Sequence, residues 1–170
     1  MAISLSWHHP HYSDDDINTP IDRILSENIM MAMSSVSMHD KTPRSWINSI
    51  YFAYADDLTF YILTYPTSEH IRNITVNPSV ALAIASPQVP DQYKVGLQIA
   101  GTCTAVKNSE IVRATAIYAT RFPWLGDFIR DIADWETTTL VSRLYKITPQ
   151  RIKMFTERQI GTEMWIDLRL

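Results

Sequence analysis

The densest chemistry in the chain lies in Thr64-Tyr65-Pro66-Thr67-Ser68-Glu69-His70-Ile71-Arg72-Asn73. Hydroxyls at 64, 67 and 68 lead into a helix start, and His70 and Arg72 follow it. A helix N-terminus presents unpaired backbone amides, so hydroxyls, an imidazole and a guanidinium gathered there suit an anion. The same residues also read as an ordinary capped helix, with Ser68 as the cap and Arg72 in solvent. Cys103 stands among apolar strand residues and reads as small core, with Thr102 and Thr104 turned to the opposite face. Asp56-Asp57 is a carboxylate pair, and its place between two strand-like runs makes it a turn. His8, His9 and His11 carry ring nitrogens suited to a soft metal, but Pro10 splits them and no cysteine is near, so no metal site is assigned. Gly-x-Ser-x-Gly, Walker, Gly-x-Gly-x-x-Gly and His-Glu-x-x-His motifs are all absent. With four glycines in the chain, any phosphate must be held by side chains and strand-end amides. No spacing marks a catalytic acid or base.

Fifteen Lys and Arg against 18 Asp and Glu leave a net charge of −3, which argues against a nonspecific nucleic-acid binder. The hydrophobic share of 46% and charged share of 19% exclude a disordered or fibrous chain. No apolar run is long enough for a transmembrane helix, so no membrane partner is expected. A single cysteine excludes an intrachain disulfide and suits the cytoplasm. Residues 1–18 lack the basic start and apolar stretch of a signal peptide and are expected to form a flexible tail before one domain over 19–170.

The elements that must position these residues follow from pattern. Thr19-Pro20 reads as a helix start, with Ile21, Ile24 and Leu25 on the inner face. Strands are expected over 29–38, 45–54 and 58–64, separated by turns at 40–43 and 56–57. A helix opens at Pro66 to Ser68, and Asn77-Pro78 ends it. Val80 to Ala85 alternates large residues with alanine, so its alanine face needs a close-packed cover. A loop over 87–91 leads to a long strand over 93–106, which Gly101 permits to bend. An amphipathic helix covers 109–121, Phe122-Pro123-Trp124 breaks it, and a shorter helix is expected over 125–132. Strands over 140–147, 152–155 and 164–168 complete the set, with Thr148-Pro149 ending the first. Short connections favour antiparallel pairing. The expected fold is therefore mainly β with flanking helices (α+β), the strands closed as a small antiparallel barrel.

Phe60 to Thr64, Ser68 to Ile74, Asn77 to Val80 and Gln98 to Gly101, in this order, resemble the FMN-binding split barrels related to pyridoxamine 5′-phosphate oxidase. Leu144 to Ile152 is similar to that family's last barrel strands. Within the family the chain looks closest to the YhbP-like branch, through Phe60 to Thr64, His70, Arg121-Phe122-Pro123 and Met164-Trp165-Ile166. The resemblance covers residues 20–170.

It implies an antiparallel split β-barrel and a homodimer whose two flavin sites are each built from both subunits. Ile47, Asn48 and Ser49 would meet the isoalloxazine edge through their backbone, and Leu63 and Thr64 would lie along the flavin. Ser68 and His70 would meet the phosphate, and Gln98 would approach from the long strand. The chain has Glu69-His70 where the oxidase has an Arg-Lys pair, which removes fixed charge facing a phosphate that carries nearly two negative charges. Gln98 and Arg44 are out of register with the family's glutamine and basic residue. The C-terminal residues that recognise pyridoxamine phosphate have no counterpart, which argues against that oxidase reaction. The implied function is an FMN-dependent oxidoreductase of undefined small-molecule substrate. Its alternatives are a non-catalytic binding module for haem or deazaflavin, as other members of the superfamily are, and an empty dimeric scaffold.

Overall fold

The computed structural model describes residues 3–85 and 93–170, and the loop expected over 87–91 lies outside them. In chain order the elements are α1 (Asp14–Glu27), β1 (Met30–His39), β2 (Thr42–Tyr54), β3 (Phe60–Thr64), α2 (Glu69–Val76), β4 (Ser79–Ala85), β5 (Val95–Ala105), α3 (Ile111–Arg121), α4 (Asp134–Thr137), β6 (Arg143–Thr156), α5 (Glu157–Ile160) and β7 (Ile166–Arg169). The strands pair antiparallel in the order β3-β2-β1-β4-β5-β6-β7. β3 also pairs with the first half of β6, from Phe60 opposite Ile147 to Thr64 opposite Arg143. Strands β1 to β6 thus return on themselves as a split barrel, and β7 is added along the second half of β6. Closure pairs backbone edges that would otherwise be open.

Local chemistry sets the corners. Asp40 and Lys41 both take positive φ, 48° and 65°, as a two-residue hairpin turn requires, so His39 pairs with Thr42. Strand alternation then sends Met31, Met33, Ile50, Phe52, Leu82 and Ile99 into the barrel. Ile17, Ile21, Ile24 and Leu25 of α1 join this core, as do Ile71 and Ile74 of α2. A second apolar cluster lies outside the ring, where Ala114 and Tyr118 of α3 cover Ala53, Tyr61 and Leu144.

Several expectations give way. Helix α1 starts before Thr19-Pro20: Ser13 caps it, and Ser13 and Asp16 exchange the two hydrogen bonds of a capping box. Pro20 lies inside the helix and lacks the N–H that would reach the Asp16 carbonyl; Gln159 of α5 donates to that oxygen instead, at 3.4 Å. Residues 3–18 are not a tail. Ile3, Trp7 and Ile17 are buried, and the Trp7 indole N–H donates to Asn18 Oδ1 at 2.7 Å. Thr148-Pro149 does not end a strand: β6 runs on to Thr156, and a bulge absorbs Gln150 where the register shifts between Ala100 and Gly101. The helix expected over 125–132 is replaced by a 3₁₀ turn at Pro123–Asp127 and the short α4. Among the described residues no helix is long and apolar enough to cross a membrane.

Candidate functional site

Thr64 ends β3 and His70 lies in the first turn of α2, and both are buried. The His70 Nε2 lies 2.8 Å from Thr64 Oγ1 and 3.1 Å from Ser68 Oγ. Ser68 occupies the N-cap position, yet its hydroxyl donates back to the Tyr65 carbonyl at 2.8 Å rather than capping the helix. Its proton is therefore used, and towards His70 it can only accept. Burial holds the His70 pKa below the ordinary histidine value. Glu69 turns outward to Arg72, whose second nitrogen donates to the Thr67 carbonyl at 2.9 Å. The two charged residues of the segment thus pair with each other at the surface, and the hydroxyl-imidazole group stays neutral.

Helix α2 packs on β1 through a buried hydrogen bond from Asn73 Nδ2 to Ser35 Oγ, 3.1 Å. Asn48 pairs with Met33 on the neighbouring strand and shares the inner side of β2 with Ile50 and Phe52. Its Oδ1 is buried without a hydrogen-bond partner among the described residues. A buried acceptor in that condition is costly, so Asn48 has spare hydrogen-bonding capacity.

On the outer face of the sheet, Ala32 and Ser34 of β1, Ala81 and Ala83 of β4 and Ala100 of β5 form the floor of a groove of roughly 500 Å³. Ile47 of β2 stands on one side, and Gln98, Arg151 and Lys153 lie towards the other. An adjoining hollow of roughly 310 Å³ shares Ala83 and Gln98 and reaches Phe155. The floor is low because each outward position on β4 is an alanine or serine, while Val80, Leu82 and Ile84 point into the core.

The residues expected at a site therefore fall into three places. Thr64, Ser68 and His70 come together at the start of α2. Ile47 and Gln98 share the groove, and Ser49 is exposed on the same side of β2 as Ile47. Asn48 faces inward opposite Met33, and Leu63 packs with the α3 cluster instead. Arg151 and Lys153 were not singled out in the sequence. Their signal was available, since they alternate with Ile152 and Met154 and so must face outward.

A flat ring fits the small-residue floor, whose volume lies within the usual range for ligand sites. At the α2 end a phosphate dianion would meet hydroxyls and an imidazole, with Arg143 of β6 paired opposite Thr64.

A family model described as pyridoxamine 5′-phosphate oxidase matches residues 17–154. No curated protein sequence matches the chain. Among solved structures, a haem-binding protein from Mycobacterium smegmatis superposes with a TM-score of 0.65 at 14% identity over 88% of this chain. The match spans 56% of that protein, little more than half its length. HutZ, the haem storage protein of Vibrio cholerae, gives 0.58 at 18% identity over 78% of this chain and 89% of its own. An FAD-binding protein from Mesorhizobium loti gives 0.56 at 14% identity over 77% and 88%. At these identities the structures speak for a shared fold.

Proposed function

Because the chain belongs to the pyridoxamine 5′-phosphate oxidase family, we propose that it is a homodimeric flavin-binding oxidoreductase, with FMN the first cofactor to test. One observation carries the reading: Ile47 and Gln98, from strands far apart in sequence, flank a groove floored by alanine and serine. A planar ring would lie on that floor. Ile47, Asn48 and Ser49 of β2 and Gln98 of β5 would hold it, with Thr64, Ser68 and His70 contributing from the corner between β3 and α2. There the hydroxyls and the neutral imidazole offer hydrogen bonds rather than charge. A bound flavin supplies hydride or single-electron transfer, and the protein's part is to position the ring and exclude water.

A second copy of the chain would cover the groove. Support comes from the uncovered alanine face of β4 and from Ile47, 68% exposed beside it. Placement in the YhbP-like branch and in the cytoplasm belongs to the same proposal, supported by Arg121-Phe122-Pro123 and by one buried thiol.

The test is the visible absorption spectrum of the purified protein, followed by titration with FMN. Flavin bands, or quenching of added FMN fluorescence, are expected. A colourless protein that leaves millimolar FMN unchanged would sink the proposal. Haem is the second reading, favoured by the haem-binding descriptions of two structural neighbours. A Soret band on adding haemin, without flavin binding, would select it.

A further inference from the structure

Strand β6 brings a cation to the corner between β3 and α2. Thr64 and Arg143 are paired across the two strands, so their side chains leave the sheet on the same side. It is the side on which Phe60 meets Ile147 and Ile62 meets Tyr145 in the core. Directly opposite side chains start about 5 Å apart at Cβ, well within the reach of a guanidinium. Arg143 is anchored through one nitrogen: Nη1 donates to the carbonyls of Leu140 at 2.6 Å, Ser142 at 3.0 Å and Val141 at 3.3 Å. Among the described residues Nε and Nη2 have no partner, and no carboxylate lies within ion-pairing distance. The neighbouring charges are spent or absent. Arg72 turns to Glu69 and to the Thr67 carbonyl, and burial keeps the His70 imidazole neutral at neutral pH. What the corner has beside Arg143 is uncharged donors. Ser68 bonds back to Tyr65 rather than capping α2, so the backbone N–H groups of Glu69 and His70 have no acceptor among the described residues. A phosphate needs both kinds of group: neutral donors to place its oxygens, and a fixed charge against its nearly two negative ones.

We infer that Arg143 is the residue by which this protein selects a phosphorylated flavin: from across the ladder opposite Thr64, its guanidinium supplies the fixed positive charge to a phosphate held at the start of α2. The inference rests on the flavin reading above and adds to it the residue that distinguishes FMN from a flavin without phosphate.

FMN and riboflavin differ only in the phosphate, so titrating both against wild type, Arg143→Gln and Arg143→Lys isolates its recognition. Arg143 is exposed, so neither substitution disturbs the core. Wild type should bind FMN about 10- to 100-fold more tightly than riboflavin, the factor expected of a charged hydrogen bond. Arg143→Gln should remove most of that preference while leaving riboflavin affinity unchanged. Arg143→Lys, which keeps the charge, should retain most of it. If Arg143→Gln weakens FMN and riboflavin equally, Arg143 only braces residues 140–142, and the inference is overturned. A preference for FMN intact in Arg143→Gln overturns it too, as does equal binding of the two flavins by wild type, and in each case the flavin reading stands. If wild type binds neither flavin, the flavin reading itself fails and takes the inference with it.

Discussion

The Thr64 hydroxyl and the His70 imidazole lie 2.8 Å apart in a buried site, tying the last residue of β3 to the first turn of α2. This hydrogen bond closes the strand-to-helix corner on which the resemblance to flavin proteins rests, and it has a pH signature. Burial lowers the His70 pKa from 6.5, so as pH falls the unfolded chain takes up a proton before the folded one does. The stability contribution of the neutral imidazole is complete above about pH 6.5 and is lost as pH falls from there through the lower folded value. His70→Ala should cost about 1–3 kcal/mol at pH 7.5. It should also flatten the loss of stability between pH 7 and pH 5, measured by urea unfolding at each pH. A wild-type stability independent of pH across that window would refute this role for the imidazole.

Gly101 faces the bulge in β6. A Cβ placed there would lie 2.5 Å from the Thr148 carbonyl oxygen and 3.0 Å from Pro149 Cα. Both obstacles are backbone, so relief requires moving a ladder. Gly101→Ala should destabilise by roughly 1–3 kcal/mol. Gly126→Ala, with nothing within 4 Å of the added carbon, should change stability by no more than about 1 kcal/mol. Thermal unfolding of the two variants side by side decides it.

Burial pushes the Cys103 thiol up to about 12, so it stays protonated and unreactive at neutral pH. A thiol reagent should label the native protein only as fast as it unfolds, and at once in denaturant. Rapid labelling of native protein would show that the strand opens there.

Trp7 is 8% exposed and its indole donates to Asn18, so the N-terminal segment belongs to the fold. Trp7→Ala should lower stability by about 3 kcal/mol. His8→Ala, an exposed neighbour, should stay within about 0.5 kcal/mol of wild type. Equal unfolding midpoints for the two would return the segment to the status of a tail.

If a second copy covers the groove, a charge on its floor must oppose assembly. Ala81→Glu should convert a dimer to a monomer in light scattering at micromolar concentration, with little change in far-ultraviolet circular dichroism. Monomeric wild type would remove the dimer from the proposal.

Much of the architecture was legible because it is local. Alternation in Val80 to Ala85 defines which side of β4 is core, and Asp40-Lys41 can turn a hairpin tightly. The hydroxyl, histidine and helix-start sequence from Thr64 to Arg72 predicted a polar cluster, and Thr64, Ser68 and His70 do meet. Errors arose where a distant segment overrode a local signal. Pro20 looked like the first residue of a helix, but a side chain from α5 supplies the bond that proline cannot. Pro149 looked like a strand end, but Gly101 lets the chain pass with a bulge.

What the sequence by itself determined is most of the strands and helices, their inner faces and the residue types at each corner, because these depend on neighbours within a turn or two of chain. Only the tertiary structure decided that β3 closes on β6, that Arg72 is spent on Glu69, and that Ile47, Gln98, Arg151 and Lys153 share one groove. Those residues are separated by some fifty positions at each step between 47, 98 and 151. Nothing in their local spacing encodes proximity. It follows from strand pairing, which costs chain entropy to establish and is repaid only when the whole barrel buries its core.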